Sequence, residues 1–372
     1  MRLDNVLIYT EEHDFRPGCL EIENDKIRAV DFGGRAPEGE VLYAVPGLVD
    51  IHFHGCMGAD LCDAEPDTIK TLAEYEASQG VTSICPATMT MSVPDLHKIM
   101  KNIGAYQESS GAHFAGVNME GPFINRENKG AQNGEHIIPC DAELFRQLQQ
   151  ESGNRIRLAD VAPEESGALE FIEAVRDEVV VSLAHTAADY DTAMAAFQRG
   201  ASHVTHLFNA MLPLHHRNPG VPGAAADAGV YVELICDGIH IHPAVVRSVF
   251  KLFGSEKICM ISDSIRATGL ADGDYTLGGQ AVRVQGTLAT LADGTIAGSV
   301  TNLMGGLRTA VQKMGIPLEE AVRSASETPA RSIGIFDRCG SLAAGKQADL
   351  VLLDRELKVR MVMAGGRVIR QV

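Results

Sequence analysis

Two histidines one residue apart, His52 and His54, close the run Val45-Pro46-Gly47-Leu48-Val49-Asp50-Ile51-His52-Phe53-His54-Gly55. The run is apolar and rich in β-branched residues, so it reads as a buried strand opened by Pro-Gly. Side chains of a strand alternate between faces, which points both imidazoles the same way. Converging neutral imidazoles suit a divalent transition metal, each offering a lone pair at about 2.0 to 2.1 Å from zinc. A His-x-His pair by itself is more often a surface or hydrogen-bonded pair, so a metal reading requires ligands from elsewhere in the chain.

The elements that would carry such ligands are legible as an alternation of strand and helix patterns. Apolar strand-like runs fall at 45–54, 81–88, 114–120, 156–163, 179–185, 203–208, 231–237 and 258–263. Helical patterns lie between them at 67–78, 141–151, 168–176, 190–198 and 243–253, several opened by a capping residue or proline. This alternation predicts an α/β fold with a parallel sheet, and eight repeats of it predict a TIM (β/α)8 barrel. Barrel chemistry gathers at the carboxyl ends of the strands. Those ends carry His52 and His54, Glu120, His185, His206, Asp237 with nearby His240, and Asp263. Any one of these fits a hydrogen-bonded core residue. Burying all of them without partners would cost on the order of several kcal/mol each, and a bound metal is the economical compensation.

The chain's two ends read differently. Short strands at 6–10, 19–23 and 26–31, the last two joined by Asn24-Asp25, are matched near the far end by the segment 340–354, a glycine-punctuated lead into an apolar strand, and by runs at 359–364 and 367–370. A hairpin buries too little apolar surface to stand alone. Residues 1–44 and 338–372 are therefore expected to pair into one small β-sandwich domain beside a barrel of residues 45–337.

Length and composition bound the remainder. A chain of 372 residues, 45% hydrophobic, buries a sizeable core and contains no apolar run that could span a bilayer. The start Met1-Arg2-Leu3-Asp4-Asn5 is no signal peptide, and a cytoplasmic location is expected. A net charge of −17 argues against nucleic acid or an anionic membrane as partner. The eight cysteines show no metal-binding spacing and read as buried free thiols. In so acidic a chain, His215-His216-Arg217-Asn218-Pro219-Gly220 is the basic cluster best suited to a phosphate, Arg217 offering a planar fork for its oxygens; a solvated loop is the plainer alternative.

With these residues in place, the sequence resembles the amidohydrolase superfamily and, within it, the N-acetylglucosamine-6-phosphate deacetylases. The resemblance spans essentially the whole chain. It is carried by the run 46–55, Glu120-Gly121-Pro122-Phe123, Lys129-Gly130-Ala131-Gln132, Ala184-His185-Thr186, Thr205-His206-Leu207-Phe208-Asn209-Ala210-Met211, Asp237-Gly238-Ile239-His240 and Ser262-Asp263-Ser264. The block around His206 is the most specific. The related hydantoinases and dihydroorotases typically bridge two metals with a lysine after strand four, where this chain has Val161-Ala162-Pro163-Glu164. Two departures stand out: Ser262 where threonine is usual, and Gln132 where some members have histidine.

The resemblance implies that Glu120, His185 and His206 bind a principal divalent metal, with His52 and His54 available for a second that Glu120 would bridge. One or two ions per subunit are expected, of zinc, iron, manganese or cobalt. Such an ion would supply hydroxide at neutral pH for attack on an acetamide carbonyl, with Asp263 taking a proton from the water and passing it to the leaving amine. Asn209, Ala210, Arg217, His240 and Gln132 would contact a small phosphosugar. Family members are commonly homodimers in which a neighbouring subunit's loop reaches the active site, which leaves open whether Arg217 serves its own subunit's site or its neighbour's. Two other readings stay open: a deacetylase of a related phosphosugar such as N-acetylgalactosamine 6-phosphate, and a non-catalytic barrel of the same shape.

Overall fold

The structure, a computed structural model, describes residues 1–33, 41–108 and 110–372. Seven strands drawn from both chain ends form one sheet, in the order Arg367–Gln371, Val359–Ala364, Leu350–Leu353, Tyr43–Pro46, Arg2–Tyr9, Phe15–Glu23, Lys26–Phe32. Tyr43–Pro46 is the junction, antiparallel to Leu350–Leu353 and parallel to Arg2–Tyr9. Inward residues of these strands, among them Val6, Ile8, Leu20, Ile27, Ala44, Leu350 and Met363, make a separate apolar core. The Asn24-Asp25 turn joins its strands with Asn24 at φ 55°, a left-handed conformation that asparagine tolerates.

The run 45–54, expected as one strand, is divided. Val45 and Pro46 belong to the terminal sheet, and Leu48–Asp50 starts a different one. Gly47 is the joint: its N–H donates to Asp349 O at 3.0 Å, and a Cβ there would sit 2.0 Å from Thr82 Oγ1, so no other residue fits without movement. The division expected between residues 44 and 45 thus falls inside a strand.

Six parallel strands follow in sequence order: Val117–Phe123, Ile156–Val161, Val180–Leu183, His203–Val204, Tyr231–Ile235 and Ile258–Ile261. Leu48–Asp50, Val81–Ile84 and His113–Phe114 form a shorter parallel sheet. Backbone hydrogen bonds link the two, Thr88 N–H to Asn118 O at 2.9 Å on one side and Asp263 N–H to His52 O at 2.9 Å on the other. Helices Thr68–Gln79, Val93–Ala105, Ala142–Glu151, Ala168–Val175, Tyr190–Arg199, Gly220–Ala228 and Pro243–Phe253 separate the strands. Several start on capping residues, with Ser92, Asp141 and Asp189 each accepting a backbone N–H of the first turn; the helix after Ser92 was not among those expected. The helices bury apolar faces against the strands in one large cluster that includes Leu72, Ile99, Phe145, Ile172 and Val246.

The run 114–120 proves to be two strands, broken between Phe114 and Val117. An antiparallel sheet of Gly273–Leu277, Gln280–Gln285 and Leu288–Thr290 was not anticipated. Its signal is present in the sequence: Gly278-Gly279 turns between two alternating runs, with φ of 54° and 80°. All eight cysteines are free thiols, six of them buried. Among the described residues, no helix is long and apolar enough to cross a membrane.

Candidate active site

Three of the parallel strands stop short of the residue that could do chemistry, and the backbone then turns left-handed to aim it. His185, His206 and Asp263 adopt φ of 44°, 29° and 50°, and Phe208 and Ala210 follow at 75° and 52°. Such conformations cost a non-glycine residue on the order of 1 to 3 kcal/mol each and persist where the surroundings over-determine them. They also explain why the run 203–208 is a strand only at His203–Val204. Glu120 sits within its strand, where the next residue, Gly121 (φ 86°), lies so close to Thr90 that a Cβ would approach Oγ1 to 2.1 Å.

Four histidines converge on Glu120. Its Oε1 lies 2.9 Å from His185 Nε2, 3.1 Å from His206 Nε2 and 3.6 Å from His52 Nε2. Its Oε2 lies 3.4 Å from His54 Nε2 and accepts from Gln132 Nε2 at 2.7 Å. Asp263 Oδ1 stands 3.3 Å from His54 Nε2 and 3.8 Å from His52 Nε2. All are buried, His52 completely. The residues form two triads, His52–His54–Glu120 and Glu120–His185–His206, the ligand atoms of each lying within 4.8 Å of one another. Glu120 is common to both.

The ring tautomers supply a test of whether these residues fit a cation. His185 Nδ1 faces the carbonyl of Asn128 at 3.1 Å, and a carbonyl only accepts, so Nδ1 carries the proton. In the neutral ring, Nε2 then turns a lone pair toward Glu120 and toward His206 Nε2, 3.2 Å away. His52 donates from Nδ1 to Glu233 Oε2 at 2.8 Å, and its Nε2, aimed into the cluster, has no hydrogen-bond partner. Acceptors pointed at one another around a carboxylate fit a divalent metal, and outer partners that fix the rings are the usual companions of such a site.

The charges tell the same story. Burial would push Glu120 up, but the imidazoles of His52, His185 and His206 hold it well below the usual carboxylate range. Burial would push His52 and His54 down, yet Glu233 and Glu120 raise the first, and Asp263 and Glu120 the second, above their ordinary value. Asp263 likewise resists burial, held low by the His54 hydrogen bond and by the charges of His52, His54 and His206. Positive charge is wanted at this point in the molecule, and a dication would supply it.

The cluster floors a cavity of about 260 Å³, whose lining includes His54, Glu120, Gln132, His185, His206, Asn209, Ala210, His240 and Asp263. Met89, Leu277 and Ile296 give it an apolar side, Leu277 and Ile296 coming from the unanticipated sheet and the segment after it. His240 is held by Asp237, Nδ1 to Oδ2 at 2.7 Å; burial would lower the imidazole, but that hydrogen bond raises it. The Asn209 side chain donates back to His206 O at 3.1 Å, stiffening the turn that presents it. Gln132 reaches the site chiefly as a brace: besides bonding Glu120, its Oε1 accepts from Thr90 N at 2.6 Å. Arg217 is not brought together with the others. It stands on the exposed turn between His215 and Asn218, donating to His216 Nε2 at 2.6 Å, outside the cavity lining.

Glu233 is the residue that sequence reading missed. It lies inside the strand Tyr231–Ile235, fully buried, where a lone charge in Tyr231-Val232-Glu233-Leu234-Ile235 was the available signal.

This fold and this cluster define a hydrolase class, and the comparisons agree: residues 43–369 match the amidohydrolase family, to which the chain belongs. More particular likenesses follow. The chain is 39% identical to N-acetylglucosamine-6-phosphate deacetylase of Bacillus subtilis, with 98% of this chain and 96% of that protein covered. It is 36% identical to N-acetylgalactosamine-6-phosphate deacetylase of Escherichia coli O157:H7, covering 97% of each. Among solved structures, N-acetyl-D-glucosamine-6-phosphate deacetylase of Mycobacterium smegmatis, a mutant in complex with N-acetyl-D-glucosamine-6-phosphate, superposes with a TM-score of 0.93 at 33% identity over 99% of both chains.

Proposed function

We propose that this chain is a metal-dependent deacetylase that hydrolyses the acetamide of N-acetylglucosamine 6-phosphate to acetate and glucosamine 6-phosphate. The observation that carries it is the meeting of Glu120, four histidines and Asp263 in one buried cluster beside a cavity, in a chain 39% identical to a deacetylase of that name. A divalent cation held by Glu120, His185 and His206, with His52 and His54 for a second, would lower the pKa of a water and polarise the amide carbonyl. Zinc, iron, manganese and cobalt all suit this donor set. Asp263, kept ionised by its neighbours, accepts a proton from the attacking water and delivers it to the amide nitrogen, which otherwise leaves poorly. Asn209, Ala210 and His240, which line the cavity, are the residues offered to the sugar phosphate.

We further read the parallel strands as one closed (β/α)8 barrel, a reading supported by the hydrogen bonds that link its two sheets on both sides. Residues at the two chain ends then form a domain of their own around their separate core. A homodimer is supported by the exposed Leu214, Val245 and Leu252 in an apolar groove that shares His240 with the cavity. Joined there, one subunit would offer Arg217 to the phosphate bound by the other.

The 36% identity to an N-acetylgalactosamine-6-phosphate deacetylase favours a second reading, in which the 4-epimer is the better substrate. Acetate release measured on both phosphosugars decides. A higher kcat/KM on the gluco epimer is expected; a higher value on the galacto epimer selects the second reading, and no release from either overturns both.

A further inference from the structure

Glu233 touches both halves of the cluster without belonging to either. One oxygen, Oε2, accepts two hydrogen bonds: from His52 Nδ1 at 2.8 Å and from the backbone N–H of His206 at 3.1 Å. His52 is a member of the first triad and His206 of the second. The first bond fixes a ring, because a carboxylate only accepts, so the proton sits on Nδ1 and Nε2 faces Glu120 and Asp263. The second fixes a turn, since His206 enters at φ 29°, a conformation its own preferences do not sustain.

The surroundings leave Glu233 nothing else to do. It is fully buried, and its other oxygen, Oε1, has no hydrogen-bond partner and lies 4.0 Å from His203 Nδ1. Asp160, also fully buried, is pushed well above the usual carboxylate range by burial and by the nearby carboxylates of Glu233 and Glu120, so this part of the interior has little room for further negative charge. A buried charge held in such company costs on the order of several kcal/mol unless its contacts need it. We propose that Glu233 is a positioning residue that couples the two metal subsites, orienting the His52 imidazole for one and the His206 backbone for the other. The inference rests on the metal reading given above.

The test is metal affinity. Metal-free chain is titrated with Zn²⁺ against a competing chelator for the wild type, Glu233→Ala and Glu233→Gln, with thermal unfolding of each metal-free form as the measure of fold. The glutamine variant keeps an oxygen that can accept both bonds and loses only the charge. At least one equivalent bound by the wild type should weaken about 10- to 100-fold in Glu233→Ala, the usual effect of removing an outer partner, and less in Glu233→Gln. Wild-type affinities in both variants overturn the proposal, whatever the unfolding temperatures. So does an alanine variant that fails to fold beside a glutamine variant with unchanged affinity, since the role is then purely structural. A wild-type chain that takes up no divalent ion overturns the metal reading itself, which is a distinguishable result.

Discussion

Along the strand Phe15–Glu23 of the terminal sheet, buried and exposed residues mix, and Leu20 and Ile22 are the side chains it gives to the small core. Along Val117–Phe123 every residue is buried, Asn118 and Glu120 included. The first strand needs only apolar residues of about the right size on one face. The second keeps polar groups out of water, and its neighbours do the same: Asp160, His203 and Glu233 are fully buried, each with a side-chain atom lacking a partner. Stability alone does not ask for such residues in the interior of a parallel sheet. Their cost is intelligible where they orient and charge-balance the groups that meet at Glu120. One region holds the chain together, and the other holds a set of atoms in place.

That contrast breaks most sharply at Glu120. Glu120→Ala removes the member common to both triads, so metal should be lost from both and acetate release with it. His52→Ala with His54→Ala leaves Glu120, His185 and His206, and should keep at least one equivalent. Elemental analysis of the two proteins reads this directly, and equal metal loss would contradict the shared role.

In the terminal sheet, Ile8→Ala should cost ~2 to 5 kcal/mol in denaturant unfolding, because Ile8 is fully buried in its small core. Metal content and kcat of the folded variant should stay at wild-type values. A fall in kcat would mean that the two regions are less independent than their separate cores indicate.

Acid should find the polar interior first. Burial pushes His203 down to about 4. Between about 6.5 and 4 the unfolded chain therefore binds a proton that the folded chain refuses, so stability falls as pH drops through that window and levels off below it. The contribution approaches ~3 kcal/mol at one pKa unit per 1.36 kcal/mol. His203→Gln should flatten the stability profile across those pH values, and an unchanged slope would assign the acid sensitivity to other groups.

A smaller effect is expected at the surface. Arg217→Ala should raise KM for the phosphorylated sugar by ~1.5 to 3 kcal/mol, about ten- to two-hundred-fold, while leaving the unphosphorylated sugar almost untouched. Mixed dimers with a subunit inactive for another reason should recover part of the activity if Arg217 serves the neighbouring site.

What the sequence made legible follows from period and position. Glu120, His185, His206 and Asp263 are polar residues at or just past the ends of apolar runs, and a parallel sheet brings such ends to one side; the structure brings them together there. Helix limits were readable because caps and prolines mark them: Pro243–Phe253 begins and ends where expected. Glu233 was hidden because its function depends on a partner 181 residues away, which no local pattern records. Gln132 was readable as a polar residue near the site, but not as one whose amide is occupied by Glu120 and Thr90. The left-handed turns at His185, His206 and Asp263 are invisible for a related reason, since histidine and aspartate do not advertise that conformation as glycine does. The antiparallel sheet near residue 280 did carry its signal, Gly278-Gly279, but its part in the cavity depends on Leu277 packing against Met89.

The most direct test of the account is Asp263→Asn, with metal content, substrate binding and kcat measured on the same preparation. The substitution keeps the shape and removes the basicity of a group whose neighbours hold it ionised. Full metal, retained binding of N-acetylglucosamine 6-phosphate and a kcat lower by ~10² to 10⁴ is the predicted result, the usual contribution of a positioned acid or base. Full metal with near-native kcat would contradict it.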